Sequence, residues 1–314
     1  MNPLVSICIP TYKQTEYLKK CLESVLAQDF KDFELIISDD TPDDTIELFI
    51  KSVLGNFPYT YFRNSPSLGT PENWNAAIKK AKGKYIKIMH HDDFFTQPNS
   101  LKLMVEEIEK QQASFLFCQT DVWYVKSQSH RIHKISPKQL NLLKRKPEFL
   151  FFKNMIGAPS VTLYINNQTF CYDIKFKWLV DIDFYIQYML HSKKVVCLNM
   201  PLISTAHDTE GQVTGTVIND KNIQIKEHVL LFNKIKKHSN NIDGFSSFFD
   251  YLFELYKIYA YSDLFKIVSE ADENKAFFEN VINNLPKNRS WKWFKKRFFE
   301  SRYNNYIFKF EQFI

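Results

Sequence analysis

Over the first 120 or so residues the chain switches repeatedly between short apolar runs and apolar stripes at helical spacing. Val5-Ser6-Ile7-Cys8-Ile9 is a strand signal that Pro10 stops. Leu18, Cys21, Leu22, Val25 and Leu26 then recur three and four residues apart, with Thr15 placed to cap the helix they predict. Leu35-Ile36-Ile37 predicts a second strand. Thr41-Pro42-Asp43-Asp44 predicts a helix start with an acidic first turn, running to about Gly55. Tyr59-Thr60-Tyr61-Phe62 is a third strand. Thr70-Pro71-Glu72 opens a helix that buries Trp74, Ala77, Ile78 and Ala81 and closes at Gly83. Tyr85–Met89, a helix over Ser100–Gln111 and a strand at Phe115–Cys118 complete the series. Strand–helix alternation of this kind implies a parallel sheet wound in the right-handed sense.

The middle is less regular. Lys134–Lys153 is basic and helical in part, Gly157-Ala158-Pro159-Ser160 forms a turn, and Val161–Tyr164 is a strand. Leu179–His191 has helical spacing and Val195–Leu198 is a closing strand. From about Asp220 the pattern is helical, over Ile223–Lys237, Phe245–Lys266 and Lys275–Asn284. Two domains are therefore expected, residues 1–215 and 216–314.

An apolar content of 45% excludes wholesale disorder. Five cysteines, odd in number and without a CxxC, read as buried thiols of a reducing compartment. The N-terminus has no basic stretch followed by a long apolar run, and no segment approaches the roughly 18 apolar residues of a membrane span. A cytoplasmic protein is expected. The net charge of +6 is concentrated: residues 287–309 carry eight Lys and Arg, against only Glu300 and Glu311 in that tail. Trp291, Phe294 and Phe298 share a helical face there, which suits an anionic membrane surface. Packing on the first domain or on a second copy, hence a homo-oligomer, is the alternative. No nucleic-acid module matches, so nucleic acid is not an expected partner.

Two strands run straight into paired carboxylates, Asp39-Asp40 after Glu34–Ser38, and His91-Asp92-Asp93 after Tyr85–Met89. Ligands collect outside the carboxyl ends of strands in open α/β sheets, and like charges crowded there are relieved by a divalent cation. The pattern points to a metal-assisted site for a phosphorylated ligand. His90 and His91 are adjacent on an extended strand and point to opposite faces, which argues against joint zinc ligation.

Several segments in order resemble the family 2 glycosyltransferases: Val5–Tyr12, Ser24–Gln28, Phe33–Asp40, Asn73–Ala77, Lys82–Ile86 and His91–Asp93, with weaker echoes at Gly157–Ser160, Val180–Asp183 and His207 through Thr214. The resemblance covers roughly residues 3–215. It implies a GT-A type, Rossmann-like, mostly parallel sheet flanked by helices, with a C-terminal helical extension. It further implies an inverting, hexosyltransferase-like enzyme moving a sugar from a UDP-sugar to a glycan, lipid-linked or protein-linked hydroxyl. By the same resemblance Asp93 and Asp92 bind Mn²⁺ or Mg²⁺, with His207 as a further ligand. Pro10, Thr11 and Tyr12 lie along the base, Asp40 accepts the uracil N3–H, and Asn73 and Asp92 touch the donor. Asp181 is the base toward the acceptor hydroxyl, and Asp183 supports it. The chain departs from the family where Val180 precedes Asp181 in place of Glu. It also carries Asn73-Trp74-Asn75 where a basic residue is common.

A nucleotidyltransferase and a non-catalytic subunit of a transferase complex are the other expectations. Pro10-Thr11-Tyr12-Lys13-Gln14 has no glycine, against the first, and the absence of GxGxxG and GxxxxGK[ST] removes dinucleotide and P-loop readings.

Overall fold

The computed structural model describes residues 2–192, 194–209, 217 and 219–285. The basic aromatic tail and the expected donor loop at 210–214 lie outside the described residues.

The elements are β1 (Val5–Thr11), α1 (Thr15–Leu26), β2 (Phe33–Asp39), α2 (Thr45–Leu54), β3 (Thr60–Arg63), α3 (Glu72–Lys80), β4 (Tyr85–Ile88), β5 (Asp93–Phe95) and α4 (Ser100–Gln111). They continue with β6 (Phe115–Tyr124), β7 (Ser129–His133), α5 (Pro137–Arg145), β8 (Thr162–Ile165), α6 (Val180–His191) and β9 (Val195–His207). The remaining helices are α7 (Lys221–Ile235), α8 (Ile242–Tyr256), α9 (Tyr261–Ile267) and α10 (Lys275–Asn283). The chain divides into two compact units: residues 1–136 with 154–215 form one, and 137–153 with 216–314 the other.

In the first unit the sheet order is β3-β2-β1-β4-β8-β6-β9-β5, with β7 on β6. β3, β2, β1 and β4 are parallel. Every residue of β1 is buried, as expected of a strand covered on both faces. α1 buries Leu18, Cys21, Leu22 and Val25, the stripe read from the spacing. Truncating such a residue, Ile7→Ala for example, costs about 2–5 kcal/mol. β8 runs antiparallel between β4 and β6, and β5 is antiparallel to β9, while β6 and β9 are parallel. The antiparallel strands follow irregular segments instead of the crossover helices that make parallel neighbours.

Four details differ from the sequence expectations. Gly83 does not close α3, which ends at Lys80; a side chain at Gly83 would meet Ser6 N at 2.6 Å, and its own N–H donates to Ser6 Oγ at 2.8 Å. The helix expected over Phe245–Lys266 is two helices, broken after Tyr256 where Lys257 adopts φ 57°. β5 and β7 carry little apolar periodicity because they are short or polar. Cys8, Cys21 and Cys118 are buried thiols, but Cys171 is exposed.

The second unit has an aromatic core. Phe151 lies 4.8 Å from Phe248 and Phe232 4.6 Å from Phe277, ring centroid to centroid, with Phe245 and Phe249 fully buried beside them. His228 is buried there, its Nδ1 2.6 Å from Gln224 O, and burial pulls its pKa down to about 4. Among the described residues no helix is long and apolar enough to cross a membrane.

Candidate active site

The parallel strands deliver the candidate residues to their carboxyl ends. At the exit of β1, Pro10 and Thr11 are buried and Tyr12 is 47% exposed. Lys13 lies over the Tyr12 ring at 4.8 Å. Thr11 O accepts from Asp40 N–H at 3.0 Å and from Asn73 Nδ2 at 3.2 Å, so the first acidic pair and helix α3 are tied to this strand end.

The Asp39-Asp40 pair is heavily hydrogen-bonded. Asp39 Oδ1 accepts from Thr41 N at 2.8 Å and its Oδ2 from Tyr61 OH at 2.8 Å, so it closes the turn. Asp40 is 3% exposed. Its Oδ1 accepts from Asn64 Nδ2 at 2.8 Å and Leu68 N at 3.1 Å, and its Oδ2 from Gly69 N at 2.7 Å. Asn64 Nδ2 also lies 3.1 Å from Asn73 Oδ1. Asn64 carried no signal in the sequence; only its partners mark it.

The second pair is the reverse. Asp93 is 3% exposed, and its Oδ2 has no hydrogen-bond partner among the described residues; the same is true of His90 Nε2. His90, Asp92 and Asp93 each offer one ligand atom, all within 4.8 Å of one another. Burial and the charge of Asp92 push the Asp93 carboxyl well above the usual range, against Ser160 and Lys87, which pull it down. His90 keeps 20% of its side chain exposed, and burial pulls its pKa down to about 4, leaving a neutral imidazole suited to a metal. Two buried polar atoms left unpaired beside a third oxygen donor fit a hard or borderline divalent cation.

His90, not expected as a ligand, thus joins the two aspartates, while His91 does not. The expected ligand His207 stands at the end of β9, exposed, with Nδ1 3.0 Å from Asp208 Oδ1, and is not one of the three clustered groups. Trp74 bridges the two acidic exits: it follows Asn73 on α3 and its ring centre is 4.5 Å from that of His90.

Lys87 gives no sign of its role in the sequence, because it sits within an apolar run. It is wholly buried, its Nζ donates to Ser160 O and to Ile88 O, and burial lowers its pKa to about 8. Ser160 Oγ in turn accepts from His90 N at 2.9 Å.

Asp181 lies in the first turn of α6. Its Oδ2 accepts from Asn154 Nδ2 at 3.1 Å. Tyr185, one turn on, is wholly buried, and burial, with smaller contributions from the charges of Asp181 and Asp93, raises its pKa. Asp183 is 2% exposed, with its Oδ1 3.5 Å from Gln187 Nε2 on the same helix.

Strand pairing defines one further face. Asp93 pairs with Thr205, Thr205 with Val122, and Val122 with Arg131; on the same side Tyr124 pairs with His207 and Thr120 with His133. The rings of Tyr124 and His207 are 5.1 Å apart. Trp123 lies on the opposite side, with Phe94, His130 and Lys20. Buried Thr120 Oγ1, which has no hydrogen-bond partner among the described residues, faces Gly157.

The glycosyl transferase family 2 model matches residues 6–167. The putative colanic acid biosynthesis glycosyl transferase WcaA of Escherichia coli K12 is 28% identical over 271 residues, covering 82% of this chain and 88% of that one. The structure of S. aureus TarS 1–349 in complex with UDP-GlcNAc is similar at a TM-score of 0.61 and 15% identity, covering 91% of this chain and 82% of that one. The mannosyltransferase PcManGT from Pyrobaculum calidifontis, in complex with GDP-Man and Mn²⁺, gives 0.51 at 14% identity, covering 76% and 65%. With a strand order, an acidic cluster and a family match over more than half its length, the chain belongs to the family 2 glycosyltransferases and is a glycosyltransferase of GT-A fold.

Proposed function

We propose that the protein is an inverting transferase that moves a sugar from a UDP-sugar to an acceptor hydroxyl, assisted by Mn²⁺ or Mg²⁺. The carrying observation is the cluster of His90, Asp92 and Asp93, with two buried polar atoms that have no hydrogen-bond partner among the described residues. In this reading residues 1–215 carry the chemistry.

His90, Asp92 and Asp93 would hold the cation, in place of the set with His207. When bound, such an ion supplies counter-charge to the diphosphate that leaves with the nucleotide. Tyr12, exposed at the end of β1, offers a ring for the base to lie on. Asp40 Oδ2 accepts one hydrogen bond, so a lone pair remains for the N3–H of uracil. The GDP-Man complex of a structural neighbour makes guanine the competing base. Asn73 holds Asn64 and Thr11 in place around that carboxylate.

Asp181 receives the acceptor's proton as the oxygen attacks the anomeric carbon and the bond to the diphosphate oxygen breaks. The acceptor, a glycan or a lipid-linked or protein-linked hydroxyl, approaches along the Thr120, Tyr124 and His133 face. A lipid-linked acceptor would suit a cytoplasmic enzyme whose basic tail meets an anionic leaflet.

A thermal-shift screen of UDP- and GDP-sugars with and without Mn²⁺ tests the reading, since a ligand of the native state raises the melting temperature. Stabilisation by a UDP-sugar only with Mn²⁺, lost in Asp93→Ala, is the expected result. Equal stabilisation without any divalent cation would remove the metal from the reading.

A further inference from the structure

We infer that Asn154 is a positioning residue that aims and holds the carboxylate of Asp181. The inference rests on Asp181 as the base.

The orientation of the Asn154 amide is decided by its own turn. Its Oδ1 accepts two backbone donors, Ile156 N at 3.1 Å and Gly157 N at 2.8 Å. Its Nδ2 donates to Gly157 O at 3.1 Å and to Asp181 Oδ2 at 3.1 Å. Rotating the amide by half a turn would set donor against donor at two of these bonds and oxygen against oxygen at the other two. The four bonds therefore admit one orientation, and it presents an N–H to the carboxylate.

The turn is itself anchored. Gly157 O accepts a second hydrogen bond, from Tyr185 OH at 3.1 Å, so both ends of the first turn of α6 are tied to one loop. Gly157 has φ +114°, and a side chain there would meet Thr120 Oγ1 at 3.3 Å, so the turn demands glycine. Asp181 Oδ1 accepts from Ile182 N at 2.9 Å. Each oxygen of Asp181 thus meets a donor of defined position, Ile182 N at Oδ1 and Asn154 Nδ2 at Oδ2. Asn154 supplies its donor from outside the helix, and that donor sets the direction in which Oδ2 is held. Its loss removes one anchor of the carboxylate, and geometric precision at a base is worth about one to two orders of magnitude in rate.

A merely turn-closing role is separable from this one. Asn154→Asp keeps an oxygen for Ile156 N and Gly157 N and loses both amide N–H donors, the one to Asp181 and the one to Gly157 O, which Tyr185 OH still serves; the pH profile and the titration below respond only to the first. The expected result is a kcat lower by about 10- to 100-fold with the donor KM within about twofold. The acid limb of the kcat profile should move to higher pH, because the Asp181 carboxylate loses a donor and gains a like charge. Wild-type kcat and an unmoved limb in a folded Asn154→Asp protein would overturn the inference.

If that variant does not fold, the unaltered protein answers by NMR. The side-chain ¹⁵N–H signals of Asn154 should titrate with a single midpoint between about pH 3 and 7, and the titration should vanish in Asp181→Asn. Signals that stay flat across that range overturn the inference without any substrate. Failure of the base reading looks different: Asp181→Asn would then turn over the donor found by the thermal-shift screen at the wild-type rate.

Discussion

The two acidic exits, Asp39-Asp40 and Asp92-Asp93, look alike in sequence and differ in physics. At the first, hydrogen-bond donors from Thr41, Tyr61, Asn64, Leu68 and Gly69 reach the four carboxylate oxygens. At the second, a buried oxygen and a buried imidazole nitrogen have no hydrogen-bond partner among the described residues, and the charge of Asp92 works against that of Asp93. The first pair holds the fold together without help. The second is stable as a carboxylate pair only with positive charge beside it, and buried Lys87 supplies part of that charge from below. Satisfaction of the oxygens, more than the residue type, separates the structural pair from the candidate metal site.

Asp93→Ala should break the contrast most. Transfer activity is expected to fall by about a thousandfold or more, together with loss of any Mn²⁺-dependent thermal shift. In the absence of cation the same variant should melt no lower than wild type, because a disfavoured buried carboxyl has been removed. Asp39→Ala should do the opposite. It strands the buried Thr41 N–H and the half-buried Tyr61 hydroxyl and is expected to cost about 3 kcal/mol in denaturant unfolding, with or without Mn²⁺.

Asp40→Asn sharpens the comparison within the first pair. An amide can still accept from Asn64 and Leu68, but its NH₂ then faces Gly69 N–H. We expect a loss of about 1–2 kcal/mol and about tenfold weaker UDP binding by calorimetry. Unchanged UDP affinity would mean that the carboxylate serves the 64–69 loop alone.

The smallest expected effect is that of pH on the second pair. The native pKa of Asp93 lies above its ordinary value of 3.8, so the folded state holds a proton that the unfolded chain releases. Its contribution to stability therefore falls as pH rises through that interval, and cation binding must expel the proton. Mn²⁺ affinity and the stabilisation it gives should both rise with pH as that proton is lost. Stabilisation independent of pH would indicate that Asp93 is already ionised. His228 gives an internal control with the other sign. Its native pKa of about 4 lies below the 6.5 of a free histidine, so its contribution falls as pH drops below 6.5. By pH 5 this amounts to roughly 2 kcal/mol, which His228→Phe should abolish.

Much of this was legible in the chain itself. Apolar periodicity marked β1 to β4, α1 and α4 closely, because a strand covered on both faces and a helix covered on one leave unmistakable spacings. The paired aspartates at strand exits were equally visible, since charge directly after an apolar run has few structural reasons to be there. Tertiary structure decided what the spacings could not encode. Asn64, Ser160 and Asn154 acquire their roles through hydrogen bonds to partners 24, 70 and 27 residues away, and no local pattern carries such a distance. It also decided that His90 joins Asp92 and Asp93 while His207 pairs with Asp208, and that segment 137–153 belongs with the helical unit. The reason is common to all of these. Sequence periodicity reports which side of an element is buried, whereas the partner that a buried polar atom finds, or fails to find, depends on what the rest of the chain brings to it.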